Sequence, residues 1–143
     1  MSVTNVPVAG CRTIALEVKG DDRGSLIALE SSIGIPFTIV RVYYVFATKP
    51  GVSRGFHAHW KLRQWAVCVS GECTMLLDDG AARTHIKLDR PDLALEIGPM
   101  VWHEMHDFSP DCVMLVLADA TFDESDYIRN YDSFLSAVEA QRA

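Results

Sequence analysis

The chain is cut into short apolar runs by turn residues, and this spacing constrains its fold more than any other feature. Runs over residues 12–18, 26–30, 38–48, 64–70, 72–77, 83–88, 93–97 and 112–118 read as strands. Between them stand Asp21-Asp22-Arg23-Gly24, Lys49-Pro50-Gly51, Gly71, Asp78-Asp79-Gly80 and Asp89-Arg90-Pro91-Asp92. Gly, Pro and Asp take up turn geometry that β-branched residues resist. The intervals suit antiparallel hairpins in a sandwich or barrel rather than βαβ units, so the fold class is all-β. After Ala120 the texture changes. Tyr131, Phe134, Leu135 and Val138 recur at three- and four-residue spacing, which predicts one short amphipathic C-terminal helix packed on the sheet. A length of 143 residues fits one domain over residues 1–143, with no repeat or linker.

Composition narrows the setting. Hydrophobic residues make up 49% of the chain and the mean hydropathy is +0.11. No apolar run approaches the roughly 18 to 20 residues of a membrane span, so the excess apolar surface is assigned to a core and a subunit interface. The stretch "MSVTNVPVAGCRTIALEVKGDDRG" lacks the basic start and apolar centre of a secretory signal, and the expected location is cytoplasmic. Cys11, Cys68, Cys73 and Cys112 are scattered, three of them in apolar runs, and are expected to be reduced and buried. A formal charge of −6 without a Lys/Arg cluster argues against nucleic acid, while leaving room for a small anionic ligand held by a few arginines.

The chemistry concentrates in "RGFHAHW", residues 54–60. His57 and His59 are two apart, so on extended backbone both point to one face. They fit a metal clamp, an acid–base pair, or two polar neighbours. The spacing from Gly51 to His57-Ala58-His59, Gln64 and Gly71 resembles the first motif of the cupins, whose double-stranded β-helix (jelly roll) turns such a face into a central cavity. The stretch "GPMVWHEMHDF" resembles the second cupin motif and offers His103, with His106 beside it. Where a cupin metal site has a carboxylate, this chain has Gln64, and a neutral amide is a poor ligand for a divalent transition metal. Imidazole alone titrates near neutrality unperturbed, so acid–base chemistry is the favoured reading and no metal is expected.

Longer stretches narrow the resemblance. "FTIVRVYYVFATKPGVSRGFHAHWKLRQ" and "PMVWHEMHDFSPDCVMLVLADATFDESDYIRNYDSFL" resemble the nucleotide-sugar 3,4-ketoisomerases, cupin-fold enzymes that act on dTDP-4-keto-6-deoxyglucose, over about residues 13 to 135. The resemblance implies a dTDP-linked 4-keto-6-deoxy sugar as substrate, a 3-keto product on the way to 3-amino-3,6-dideoxyhexoses, and no cofactor. It also implies a homodimer with exchanged N-terminal strands. His57 and His59 would then be the proton handlers, one acting as base at carbon and the other shuttling between oxygens, with neither role assigned to either. Arg54 or Arg41 would stabilise the oxyanion or grip the diphosphate. Tyr43, two residues from Arg41, would share its face and reach the sugar or a histidine. Gln64 and His103 are expected in the pocket, and Trp102, with Trp65, offers a stacking surface for the base. His106 departs from the tyrosine usual in this family. His85 reads as a surface residue, and "DESDY" as the approach to the C-terminal helix, with no catalytic role for its acids. A metallo-cupin oxygenase or isomerase, a non-catalytic sugar-nucleotide binder and a 3,5-epimerase are the competing readings.

Overall fold

Turn chemistry converts the apolar runs into one long antiparallel ribbon. The computed structural model describes residues 1–143. Its strands are Ser2–Asn5 (β1), Cys11–Ala15 (β2), Lys19–Asp21 (β3), Gly24–Leu26 (β4), Glu30–Ser31 (β5), Gly34–Ile35 (β6), Arg41–Phe46 (β7), Arg54–His59 (β8), Gln64–Ser70 (β9), Cys73–Asp78 (β10), Arg83–Leu88 (β11), Leu93–Ile97 (β12), Trp102–His106 (β13), Val113–Ala118 (β14) and Tyr127–Ile128 (β15). Helix Tyr131–Arg142 (α1) follows. Strands β10 and β11 pair as a hairpin, and outside it β9 pairs with β12, β8 with β13 and β7 with β14. Alternate rungs of this nested ribbon fall in opposite sheets, one ordered β1-β2-β12-β9-β14-β7 and the other β11-β10-β13-β8-β15. This is the jelly-roll architecture of a cupin, all-β with one short C-terminal helix, as the sequence predicts.

The core follows from strand parity. Ala66 and Cys68 of β9 face between the sheets, where they join Cys73, Met75, Leu77, Leu95, Met105, Met114 and Val116. Trp65 and Val67 face the other way, onto Ile14, Leu16, Ile35 and Phe37, so the outer face of the larger sheet is also covered. Buried on both sides, β9 is an unbroken apolar run rather than an alternating one. On the outside of the smaller sheet, α1 seats Phe134 and Val138 against Ala58, Leu76, Trp102 and Ile128. Its first turn is capped by Asn130, whose Oδ1 accepts the Ser133 N–H at 2.9 Å. No helix is long and apolar enough to cross a membrane. All four cysteines are free and buried, as the sequence predicts.

The structure differs from the sequence reading in several elements. The run 26–30 is strand only at its ends, Leu26 in β4 and Glu30 in β5; between them Ile27 and Leu29 pack as a partly buried cover on the outer cluster. The run 38–48 contracts to β7. Strands β1, β3, β6, β8, β13 and β15 lie outside the predicted runs.

One irregularity sets up the site. The β8–β13 pairing runs His57↔His103 and then Gly55↔Glu104, so Phe56 is an extra residue that bulges outward. Gly55 and Phe56 both have positive φ, +90° and +60°. The bulge shifts side-chain parity, and Arg54 and His57, three apart, both reach the same cavity, which a regular strand forbids. Gly55 is required here for space as well as for φ: a Cβ would lie 2.9 Å from the His103 carbonyl oxygen and 3.2 Å from Glu104 Cα. Gly55→Ala is therefore expected to destabilise the protein by about 1 to 3 kcal/mol in urea unfolding. Wild-type stability in that variant would show that the bulge tolerates a side chain.

Candidate active site

The jelly roll opens at one end into a cavity of about 430 Å³ bounded by β7, β8, β13 and β15. Arg41, Tyr43 and Val45 come from β7, whose alternate residues Val42, Tyr44 and Phe46 point outward. Arg54, Gly55 and His57 come from β8, Met105 from β13, and Tyr127 and Arg129 from β15 and the residue after it. The cavity is thus rimmed by three guanidinium groups over a floor of imidazole and phenol rings.

Three histidines meet at its base. The His57 ring lies 4.9 Å from that of His59 and 4.6 Å from that of His103, centroid to centroid. His57 lines the cavity, while His59 and His103, each 3% exposed, stand behind it. Tyr127 closes the group, its ring 4.3 Å from His59 and 4.9 Å from His57. Burial pushes all three imidazoles below the ordinary histidine value, His59 and His103 to about 3, with mutual repulsion adding to the effect at both. All three are therefore neutral near pH 7. His103 Nδ1 lies 3.1 Å from the Val101 carbonyl oxygen. A carbonyl only accepts, so Nδ1 carries the proton and Nε2 keeps its lone pair.

The phenol of Tyr43 donates to Gln64 Oε1 at 3.1 Å. Burial raises Tyr43 to about 12, so it stays protonated. Gln64 is buried behind Tyr43 and holds it rather than lining the cavity. Four buried side-chain polar atoms lack a protein partner, and three belong to this site: Arg41 Nε, His57 Nδ1 and His59 Nδ1. Orphaned polar atoms gathered at one cavity mark a place built to hold a polar guest.

The sequence reading is corrected at Trp102. Its side chain points to the outer face of β13, against Tyr131 and Phe134, and its indole N–H donates to Glu104 at 2.8 Å. Parity decides this, because His103 and Met105 occupy the inward positions. It offers no stacking surface in the cavity. Trp65 is likewise core. His106 also faces outward, between Ser53 and Glu104 at 2.8 Å each, so the departure at this position does not reshape the cavity.

Residues from "DESDYIR" were missed as site residues. Asp123, not the site, caps the short turn Glu124–Asp126. Asp126 then reaches His59, and Tyr127 and Arg129 enter the cavity. The signal was present as the two-residue spacing of Tyr127 and Arg129, which puts both on one face of an extended segment. Arg129 lies 4.2 Å over the Tyr127 ring and is held bidentately by Glu124 at 2.7 and 2.8 Å.

The three imidazoles have ligand atoms within 4.8 Å of one another, which fits a three-histidine metal set geometrically. Where the cupin motif has a carboxylate ligand stands Gln64, whose amide oxygen accepts from Tyr43. Cys68, Cys73 and Cys112 also cluster, with sulfurs 3.5 and 3.7 Å from Cys68. Hydrogen bonding to Cys73 and burial push the Cys68 thiol up, and burial does the same to Cys112, so the cluster reads as core packing.

A cupin jelly roll with neutral imidazoles at the base of a cation-rimmed cavity is the class these features define. The chain belongs to the family described as FdtA: WxcM-like, C-terminal, whose pattern matches residues 9–139. It is 59% identical over 114 residues, 80% of this chain and 82% of the other, to the TDP-4-oxo-6-deoxy-alpha-D-glucose-3,4-oxoisomerase of Aneurinibacillus thermoaerophilus. Its structure is similar to that of the WlaRB TDP-quinovose 3,4-ketoisomerase of Campylobacter jejuni, with TM-score 0.87 and 46% identity, covering 90% of this chain and 99% of that one. It is also similar to QdtA, a sugar 3,4-ketoisomerase of Thermoanaerobacterium thermosaccharolyticum solved in complex with TDP, with TM-score 0.90 and 39% identity, covering 93% and 97%.

The lowered histidines make stability depend on pH. Their folded values lie below the unfolded value near 6.5, so below that pH the unfolded chain binds more protons and stability falls as pH falls. Unfolding free energy is expected to drop between pH 6.5 and 5 by up to about 1.4 kcal/mol per pH unit for each of His59 and His103. Replacing His103 by Gln should flatten that slope. A flat profile in the wild type would mean that water reaches these rings.

Proposed function

We propose that this chain is a TDP-4-keto-6-deoxyglucose 3,4-ketoisomerase that works by acid–base proton transfer. The observation that carries the reading is His57, a neutral imidazole lining a cavity rimmed by Arg41 and Arg54 and floored by a protonated Tyr43. The name of the relative from Aneurinibacillus thermoaerophilus supplies the substrate.

The reaction moves a proton from C-3 to C-4 and another from O-3 to O-4, through an enediol. His57 takes the C-3 proton, since it alone of the three histidines faces the cavity. The electron pair left on C-3 flows to O-4, and Arg41, whose Nε is buried without a partner, offsets the charge developing there. Tyr43, whose one hydrogen goes to Gln64, keeps an oxygen free to accept from a sugar hydroxyl. His59 handles proton traffic from behind His57. Arg54, more exposed at the mouth, and Arg129 hold the diphosphate. His103 and Gln64 brace His57 and Tyr43. Trp102 has no part in this account.

A second reading rests on the histidine triad. His57, His59 and His103 would hold a divalent transition metal, which would supply Lewis-acid polarisation of the sugar ketone.

We further place the enzyme in the cytosol as a homodimer, with no nucleic-acid or membrane partner. Four free thiols and a nucleotide-sugar substrate support the location. The exposed strip Val42, Tyr44 and Phe46 on edge strand β7, and the fully exposed β1 at the opposite edge of the same sheet, support a contact between copies in which N-terminal strands are exchanged. Sedimentation equilibrium should give about twice the 15.9 kDa chain mass. A monomer at micromolar concentration would remove the dimer.

Proton NMR of the purified protein with dTDP-4-keto-6-deoxyglucose in deuterated buffer, with and without EDTA, tests the activity. The expected result is a 3-keto sugar deuterated at C-4, formed equally with chelator. Turnover lost with EDTA and restored by metal would favour the second reading, and an unchanged spectrum would overturn both. His57→Asn is expected to lower kcat by about 10²- to 10⁴-fold; near-wild-type turnover would remove His57 from the chemistry.

A further inference from the structure

Asp126 stands on the side of His59 away from any role given above. Its Oδ2 lies 3.3 Å from His59 Nδ1, although the contact is not aligned as a hydrogen bond and Nδ1 has no other partner. The carboxylate itself is firmly held: Oδ1 accepts the Lys61 N–H at 2.9 Å, Oδ2 accepts the Leu62 N–H at 3.3 Å, and the Asp126 carbonyl accepts the Trp60 N–H at 3.0 Å. The turn just after β8 thus clamps an acid beside a ring that is 3% exposed.

We propose that Asp126 is a positioning residue for His59, fixing its tautomer with the proton on Nδ1 and stabilising the imidazolium whenever Nε2 takes up a proton. The inference rests on the ketoisomerase reading and deepens it. A carboxylate accepts and cannot donate, so a neutral His59 that keeps Nδ1 toward Oδ2 must place its hydrogen there. Nε2 is then left as the basic atom. His103 reaches the same state by another route, with Nδ1 turned to the Val101 carbonyl. Both rings behind His57 therefore hold a lone pair on Nε2. Burial and the neighbouring His57, Arg41 and Arg129 oppose protonation of His59 even with Asp126 in place. Asp126 offsets part of that penalty, and it does so only in the protonated state, which is the state a proton shuttle must visit.

In Asp126→Asn the amide oxygen can still accept from Lys61 while its NH₂ turns a donor toward Nδ1; the weaker Leu62 contact to Oδ2 is lost with it, so thermal unfolding of the variant is measured alongside. The wild type must first show turnover in the NMR assay; its absence would count against the ketoisomerase reading and not against Asp126. Nitrogen-15 NMR of labelled wild type is expected to show His59 with a protonated Nδ1 and an unprotonated Nε2. The opposite tautomer in wild type would overturn the proposal, whatever happens to any variant. In the Asn variant the tautomer should invert and kcat should fall about 10- to 100-fold with KM within about twofold, beyond any change that thermal unfolding explains. Asp126→Glu, which keeps the charge, should recover part of the loss. Unchanged kcat and an unchanged tautomer in the Asn variant would reduce Asp126 to a clamp for the turn.

Discussion

The pairing of His57 with His103 across β8 and β13 is the contact on which the site depends. It joins two histidines far apart in sequence, sets one as the cavity lining and leaves the other sealed behind it. Everything that crowds these rings, from the bulge at Phe56 to Tyr127 on β15, takes its position from that rung of the ribbon. A one-residue slip would turn the imidazoles outward and bring Ala58 and Trp102 into the cavity, so the two cores and the site share one register.

The electrostatics of the cavity follow from the same packing. Neutral imidazoles in a poorly hydrated base are good proton acceptors only if some group eases the charge they acquire. The arginines cannot do this, since they repel an imidazolium; they suit instead the anions of the substrate and of the enediolate. The site is thus divided into a cationic rim that favours negative charge and an acid behind β8 that favours positive charge. A proton and its electron pair leaving the same carbon are drawn to opposite walls.

Much of this was legible in the residues. Gly, Pro and Asp turns marked the ribbon, the two-residue spacing of His57 and His59 put both on one face, and Arg41 and Tyr43 followed by the same rule. What escaped did so for definite reasons. The bulge at Gly55 and Phe56 breaks strand parity by one residue, and a lone glycine in "RGFHAH" does not announce a break in register. Strand β13 was hidden because both its faces are buried or bonded, which blurs alternation, and the same blur left the direction of Trp102 open. The "DESDY" segment carries Asp and Ser, which suit a helix start; Asp123 and Asn130 do cap turns there, and that local role masked the long-range reach of Asp126, Tyr127 and Arg129.

The placement of β15 has a consequence for how the enzyme comes into being. Tyr127 and Arg129 are held where they are by pairing with β8 and by α1, whose Phe134 is wholly buried against Ala58 and Trp102. The histidines of β8 and β13 are synthesised well before this segment. Without β15 and α1 the imidazoles would stand in an open trough. The chamber acquires its last wall when Phe134 docks, so gathering the imidazoles and closing the vessel around them rest on separate contacts.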